Sequence, residues 1–200
     1  MQHKRPEGDP NGKVRVLDGQ HSEKGLLRVL DQYDATIHVG LKTLICHAAI
    51  ERVDADGEET IEIPMQDRLR ASAAMARCLL PIRLRGYEIK ALRKIMGLTM
   101  SELAKKLDEK TAVETISRWE SEAQPMGGYA EKILRLLVCE ELKEKAPGIE
   151  YNGSMISQLN VKDPWRSDAE YAGPQVVLSL IKLKEQSGSI IETWNTKKAA

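Results

Sequence analysis

The ten residues from Thr111 to Glu120, TAVETISRWE, hold the side chains with most to offer chemically. What they offer is hydrogen bonding rather than bond making. Arg118 carries a planar guanidinium whose fork matches guanine O6 and N7, a contact that discriminates by about 1–3 kcal/mol. Thr115, Glu114 and Thr111 recur on the same side at helical spacing. Glu114 can only accept, so it suits the amino group of cytosine. Ser101, Lys105, Lys110 and Ser117 nearby are of the types that hold phosphates and orient a protein without reading sequence. The competing fate of Arg118 is an ion pair with Glu114 four residues earlier. Bond-making chemistry is poorly provided for. No glycine-rich phosphate loop, His-Glu-x-x-His or Gly-x-Ser-x-Gly sequence occurs. Cys46 and His47, adjacent on an expected strand, would point to opposite faces, and His3, His21 and His38 are isolated. We expect no enzyme, no catalytic residue, no cofactor and no bound metal.

The elements that must position these side chains are legible upstream. Ile89, Leu92, Ile95 and Met96 recur at helical spacing, as do Met100, Leu103, Ala104 and Leu107. Between the two runs Gly97 permits a left-handed helix end, and Thr99 with Glu102 forms a capping-box pattern. A third run is anchored by Val113, Ile116 and Trp119. Helix, tight turn, short helix and a last helix with a polar exposed face is the layout of a helix-turn-helix. In that motif the last helix enters the major groove and presents its first and middle residues to base edges. Trp119 then faces the core, with Leu103 and the small Ala104 on the second helix.

Here the sequence resembles a known family. Glu88-Ile-Lys-Ala-Leu-Arg-Lys, Gly97-Leu-Thr, Glu102-Leu-Ala and Thr115-Ile-Ser-Arg-Trp-Glu120 are similar to Cro/C1-type (Xre) DNA-binding domains. Within that group, Leu84-Arg-Gly-Tyr-Glu-Ile and Glu131-Lys-Ile-Leu-Arg resemble the DNA-binding half of MqsA-like antitoxins and related bacterial regulators. The resemblance implies that Arg118 reads a base, and that Arg93 pairs with Glu120 while also being able to touch a phosphate. It departs from the pattern in three places. Met100 stands where such domains usually carry glutamine, and Glu114 where MqsA-like antitoxins have asparagine. About two extra residues separate Leu107 from Trp119, giving a longer turn or a longer recognition helix. MqsA-like antitoxins also bind zinc through paired Cys-x-x-Cys motifs, which this sequence lacks.

The chain as a whole sets bounds. It has 200 residues, with 30 basic and 30 acidic side chains and a formal charge of zero. Overall neutrality is no advertisement for nucleic acid, but the charge is segregated. Arg68, Arg70, Arg77, Arg83, Arg85, Lys90, Arg93 and Lys94 face Glu88 alone between residues 68 and 94, whereas residues 51–62 are strongly acidic. No apolar run is long enough to span a membrane, and the polar N-terminus lacks a signal-peptide core. Three widely spaced cysteines, Cys46, Cys78 and Cys139, suit buried thiols in a reduced cytoplasmic protein.

Residues 1–24 are expected to be a flexible arm. Residues 25–80 are expected to form a small antiparallel sheet plus a helix. Its strands are Thr36-Ile-His-Val, Leu44 to Ile50 and Thr60-Ile-Glu-Ile, and the helix spans 65–80, its arginines either solvated or turned to phosphates. A five-helix domain follows at 81–145, its final helix buried along Ile133, Leu136 and Leu137. A loop around Trp165 leads to a C-terminal helix at 174–186, beginning at Pro174. The expected fold class is therefore α+β, mainly α. The expected function is a sequence-specific regulator of transcription, a repressor or autorepressor, acting as a homodimer on palindromic double-stranded DNA. The alternatives are an antitoxin that also clamps a toxin protein, and an adaptor with the same fold that does not bind DNA.

Overall fold

In the computed structural model, residues 14–16, 26–53, 56–162, 175–184 and 188–196 are described. They form an α+β structure of two four-stranded sheets and seven helices. The first sheet is antiparallel, with β1 (Val14–Val16), β2 (Leu26–Leu30), β5 (Ile50–Val53) and β6 (Glu59–Glu62) side by side in that order. The second has the order β3 (Gln32–Asp34), β4 (Thr43–Cys46), β7 (Val176–Lys184), β8 (Ile190–Thr196). Its β4–β7 pair is parallel and the others are antiparallel. The chain crosses between the sheets three times, twice by short crossings and once by the long run from β6 to β7. Asp31 separates β2 from β3, and the expected single strand 44–50 is broken at residues 47–49, where His47 takes a φ of 52°. The two short crossings are stitched together, because Leu30 N–H donates to the Ala49 carbonyl and His47 N–H to the Asp31 carbonyl.

Several expectations are corrected. Thr36-Ile-His-Val is not a strand but a one-turn helix, α1 (Thr36–Val39). The Asp34 carboxylate accepts the Thr36 N–H at 2.9 Å, and Gly40, with φ 81°, closes the turn by donating to the Thr36 carbonyl. Where a C-terminal helix was expected at 174–186 the chain forms strand β7, and residues 190–196 form its partner β8. Val176 and Leu178 are buried on one side of the strand, a period of two rather than 3.6. Pro174 and Trp165 lie outside the described residues. So does most of the expected arm, but Val14–Val16 pairs with β2.

Helix α2 (Gln66–Leu79) forms where the alanine-rich pattern predicts it and packs against both α6 (Gly128–Leu142) and β8. Between residues 81 and 145 there are four helices rather than five: α3 (Gly86–Ile95), α4 (Met100–Leu107), α5 (Val113–Glu120) and α6. The buried face of α6 is Leu134, Arg135, Val138, Cys139 and Leu142, with Ile133, Leu136 and Leu137 only partly buried beside it. In the loop after α6, α7 (Gly153–Ser157) is capped by the Asn152 side chain, which accepts from the Met155 N–H. Gly148 lies so close to β8 that a Cβ there would sit 2.4 Å from the Trp194 carbonyl oxygen. Only a glycine lets this loop lie flat on the strand. All three cysteines are free and buried.

Candidate nucleic-acid interface

The scaffold of the site begins at the α3–α4 turn. Met96 ends α3, Gly97 adopts φ 73°, and Leu98 N–H donates back to the Arg93 carbonyl. Thr99 then caps α4. Its hydroxyl accepts the Glu102 N–H at 3.2 Å, and the Glu102 carboxylate accepts the Thr99 N–H at 2.8 Å. The Thr99 N–H and the Thr99 hydroxyl, which donates to the same carboxylate at 2.7 Å, favour its charged form, so Glu102 is held below its ordinary pKa. Leu103, Ala104 and Leu107 of α4 are buried with Ile116 and Trp119 of α5 and with Ile89 and Leu92 of α3. Val113, expected as an anchor, is instead 40% exposed at the start of α5.

Two contacts fix α5 against α3. The Arg93 guanidinium donates to both Glu120 oxygens, at 2.6 and 3.0 Å, and to the Leu98 carbonyl at 2.9 Å. Arg93 is buried, and Glu120 holds it firmly in the charged form. The second contact is steric. A Cβ on Gly86 would lie 2.6 Å from the Glu120 carbonyl oxygen and 2.7 Å from that of Trp119. The first turn of α3 therefore rests directly on the backbone that ends α5. Arg85 and Glu122 close this corner with paired bonds of 2.7 Å, which lower the Glu122 pKa.

Opposite Trp119, α5 turns its polar side outward. Arg118, Ser117 and Glu114 are exposed and Thr115 is half-buried. Arg118 forms no ion pair with Glu114, and its guanidinium has no partner among the described residues. The longer α4–α5 connection is a loop and does not lengthen the helix. It runs from Asp108 to Ala112 and is shaped by the Asp108 carboxylate accepting the Lys110 N–H at 3.1 Å. Thr111 and Lys110 thus sit in the turn before α5 rather than on the helix itself. Ser101 and Lys105 are exposed on α4, one turn apart, while Met100 is half-buried. The face mixes signs, with Asp108, Glu109 and Glu114 among the cations.

A set of buried charges escaped the sequence reading. Arg77 of α2 was expected to be either solvated or turned to phosphate, and it is neither. It is completely buried, donating to the two Glu88 oxygens at 2.5 and 2.7 Å and to the Ile82 and Arg83 carbonyls at 2.9 Å. Arg135 of α6 is equally buried. It pairs with Glu131 at 2.7 Å and donates to the Cys78, Leu80 and Ile82 carbonyls. Glu131 in turn accepts the Leu84 N–H at 3.0 Å. Together the two pairs occupy the polar backbone of the α2–α3 connection and bolt both α2 and α6 to it. The spacing of Glu131 and Arg135, four apart, was the available signal.

Among the described residues no group of three or more His, Cys, Asp or Glu side chains could hold a metal ion. No helix among them is long and apolar enough to cross a membrane. No curated protein and no solved structure matches the chain. A family model described as helix-turn-helix matches residues 89–141, from the middle of the first turns of α3 to the end of α6. The protein contains a helix-turn-helix domain, with α5 the helix that follows α4 within it.

Proposed function

We propose that the protein is a sequence-specific DNA-binding regulator of transcription. The observation that carries this reading is Arg118, exposed and unpaired on α5, on the side away from the buried Trp119. An arginine held on a rigid helix with its fork unspent is the group that bidentate guanine recognition requires. In this reading Arg118 reads a guanine, with Thr115 and Glu114 facing adjacent base edges and Thr111 contacting the groove from the turn. Ser101, Lys105, Lys110 and Ser117 hold phosphates. Arg93 is reassigned to the scaffold, because Glu120 and the Leu98 carbonyl occupy its fork. The protein binds as a homodimer on a palindrome, since two recognition helices about 34–36 Å apart reach successive major grooves on one side of the duplex. It represses by occupying the promoter that the operator overlaps.

Electrophoretic mobility shifts at physiological salt, with competitor DNA, test the reading. One duplex is expected to be bound in preference to the others, and Arg118→Ala is expected to narrow that preference by losing discrimination at the guanine position, about 1–3 kcal/mol, while general binding remains. Equal binding to every duplex by the unaltered protein would contradict it. One observation favours an adaptor that keeps the fold without reading DNA: the acidic side chains on the α5 face and in its turn. In that case Arg118→Ala changes nothing in the same assay.

A further inference from the structure

The face of α3 that meets α1 borders an open cavity of about 370 Å³. Arg70 of α2 and Lys90 and Lys94 of α3 line it, and no carboxylate does. Lys90 and Lys94 are exposed and have no ion-pair partner among the described residues. Arg70 is held in place by its bond to the His38 carbonyl at 3.0 Å, with only the exposed Asp67 opposite it at 3.7 Å. Apart from His38, whose ring is bonded to the Tyr33 hydroxyl at 3.0 Å, the rest of the rim is mainly apolar. Ile37, on the one-turn helix α1, is 95% exposed, Tyr87 is 46% exposed, and Ile95 completes the wall.

An isoleucine held almost wholly in water, beside two lysines without a facing acid and an arginine met only by the exposed Asp67, is an arrangement that water alone does not reward. The cavity has the size of a small-molecule site, with apolar walls and a few charged groups of one sign. We propose that this cavity binds a small amphiphilic anion. Its carboxylate or phosphate head lies between Lys90, Lys94 and Arg70, and its short apolar body covers Ile37, Tyr87 and Ile95. A free inorganic anion would satisfy the cations and leave Ile37 in water. A neutral apolar molecule would cover Ile37 and leave the cations unmatched. Only a ligand with both halves fills the cavity. The site is independent of the DNA reading and would stand if that reading failed.

The test is a titration of the full 200-residue chain, labelled with nitrogen-15, against decanoate, decanol and inorganic phosphate in turn. Decanoate is expected to shift the amides of residues 37–40 and 87–95 in a saturable way. Decanol and phosphate are each expected to bind at least about tenfold more weakly, a loss of about 1.4 kcal/mol. The double variant Lys90→Gln/Lys94→Gln should weaken decanoate by about tenfold or more, and Ile37→Ser by severalfold. Lys145→Gln, at an exposed lysine in the turn after α6, should change nothing. All these positions are exposed, so unchanged amide shifts elsewhere will show that the variants are folded. Phosphate binding as tightly as decanoate would overturn the proposal by reducing the site to an anion patch. So would decanoate shifts that ignore both the lysine and the isoleucine changes.

Discussion

The junction behind the helix-turn-helix and the face in front of it spend the same residue type in opposite ways. Behind, Arg77 and Arg135 are fully buried, and Glu88, Glu131 and backbone carbonyls meet their donors. In front, Arg118 is exposed and its donors are unspent. A buried guanidinium stripped of its partners is intolerable, so the first pair can only hold the structure together. An exposed guanidinium costs nothing to leave free, so the second can wait for a ligand. Arg93 lies between these extremes, near the front but already committed to Glu120.

If the contrast holds, the largest effect of any single change should come from the junction. Glu88→Ala leaves Arg77 buried without its carboxylate and should cost about 3–5 kcal/mol, measured by urea unfolding. Glu131→Ala should be of similar size for the same reason. A loss below about 1 kcal/mol would mean that the backbone carbonyls alone satisfy these arginines.

Gly86→Ala probes the corner where front and back meet. The added methyl must displace the backbone at Trp119 and Glu120, a strain of about 1–3 kcal/mol. It should also weaken DNA binding by tilting α5. Stability lost with binding unchanged would show that the corner yields away from α5.

Arg118→Ala should behave in the opposite manner. Thermal stability should change little, while discrimination at one base pair falls by about 1–3 kcal/mol. Thr99→Ala removes a cap and should destabilise by about 1 kcal/mol, with specificity intact.

The smallest expected effect is a pH dependence. The Glu102 and Glu122 carboxyls are held below their ordinary pKa by Thr99 and Arg85 respectively. A lowered folded-state pKa means that the unfolded chain takes up protons first as pH falls. Their stabilisation is therefore complete at neutral pH. It should decline as pH drops from the ordinary carboxylate range through the lowered values. Thr99→Ala should flatten that decline in a pH series of melting curves.

The helix-turn-helix was legible because its signals are local. Gly97, the Thr99–Glu102 box and the apolar spacing of α3 and α4 all act within one or two turns. The buried arginines were not, because Arg77 resembles any solvated arginine until residues 82–88 fold over it. The β7 segment misled for a related reason. Val176, Val177, Leu180 and Ile181 fit helical spacing, while the burial of Val176 and Leu178 fits a strand. The choice rests on pairing with β4, more than 130 residues earlier, and with β8. α1 was hidden by alternation over four residues, too few to separate a strand from one turn closed by Gly40. Of the interface, the outward side of α5 could be read from Trp119. The form of the α4–α5 turn could not, since it depends on the Asp108 side chain folding back on Lys110.

The central claim, that α5 reads base sequence through Arg118, is met most directly by selecting bound duplexes from a random pool. The intact protein and Arg118→Ala should be taken through the selection in parallel. The intact protein should enrich a two-fold symmetric site with a guanine at the same place in each half, and the variant should lose preference at that place alone. Enrichment of the same site by both proteins with the guanine equally preferred, or of no site by the intact protein, would contradict it.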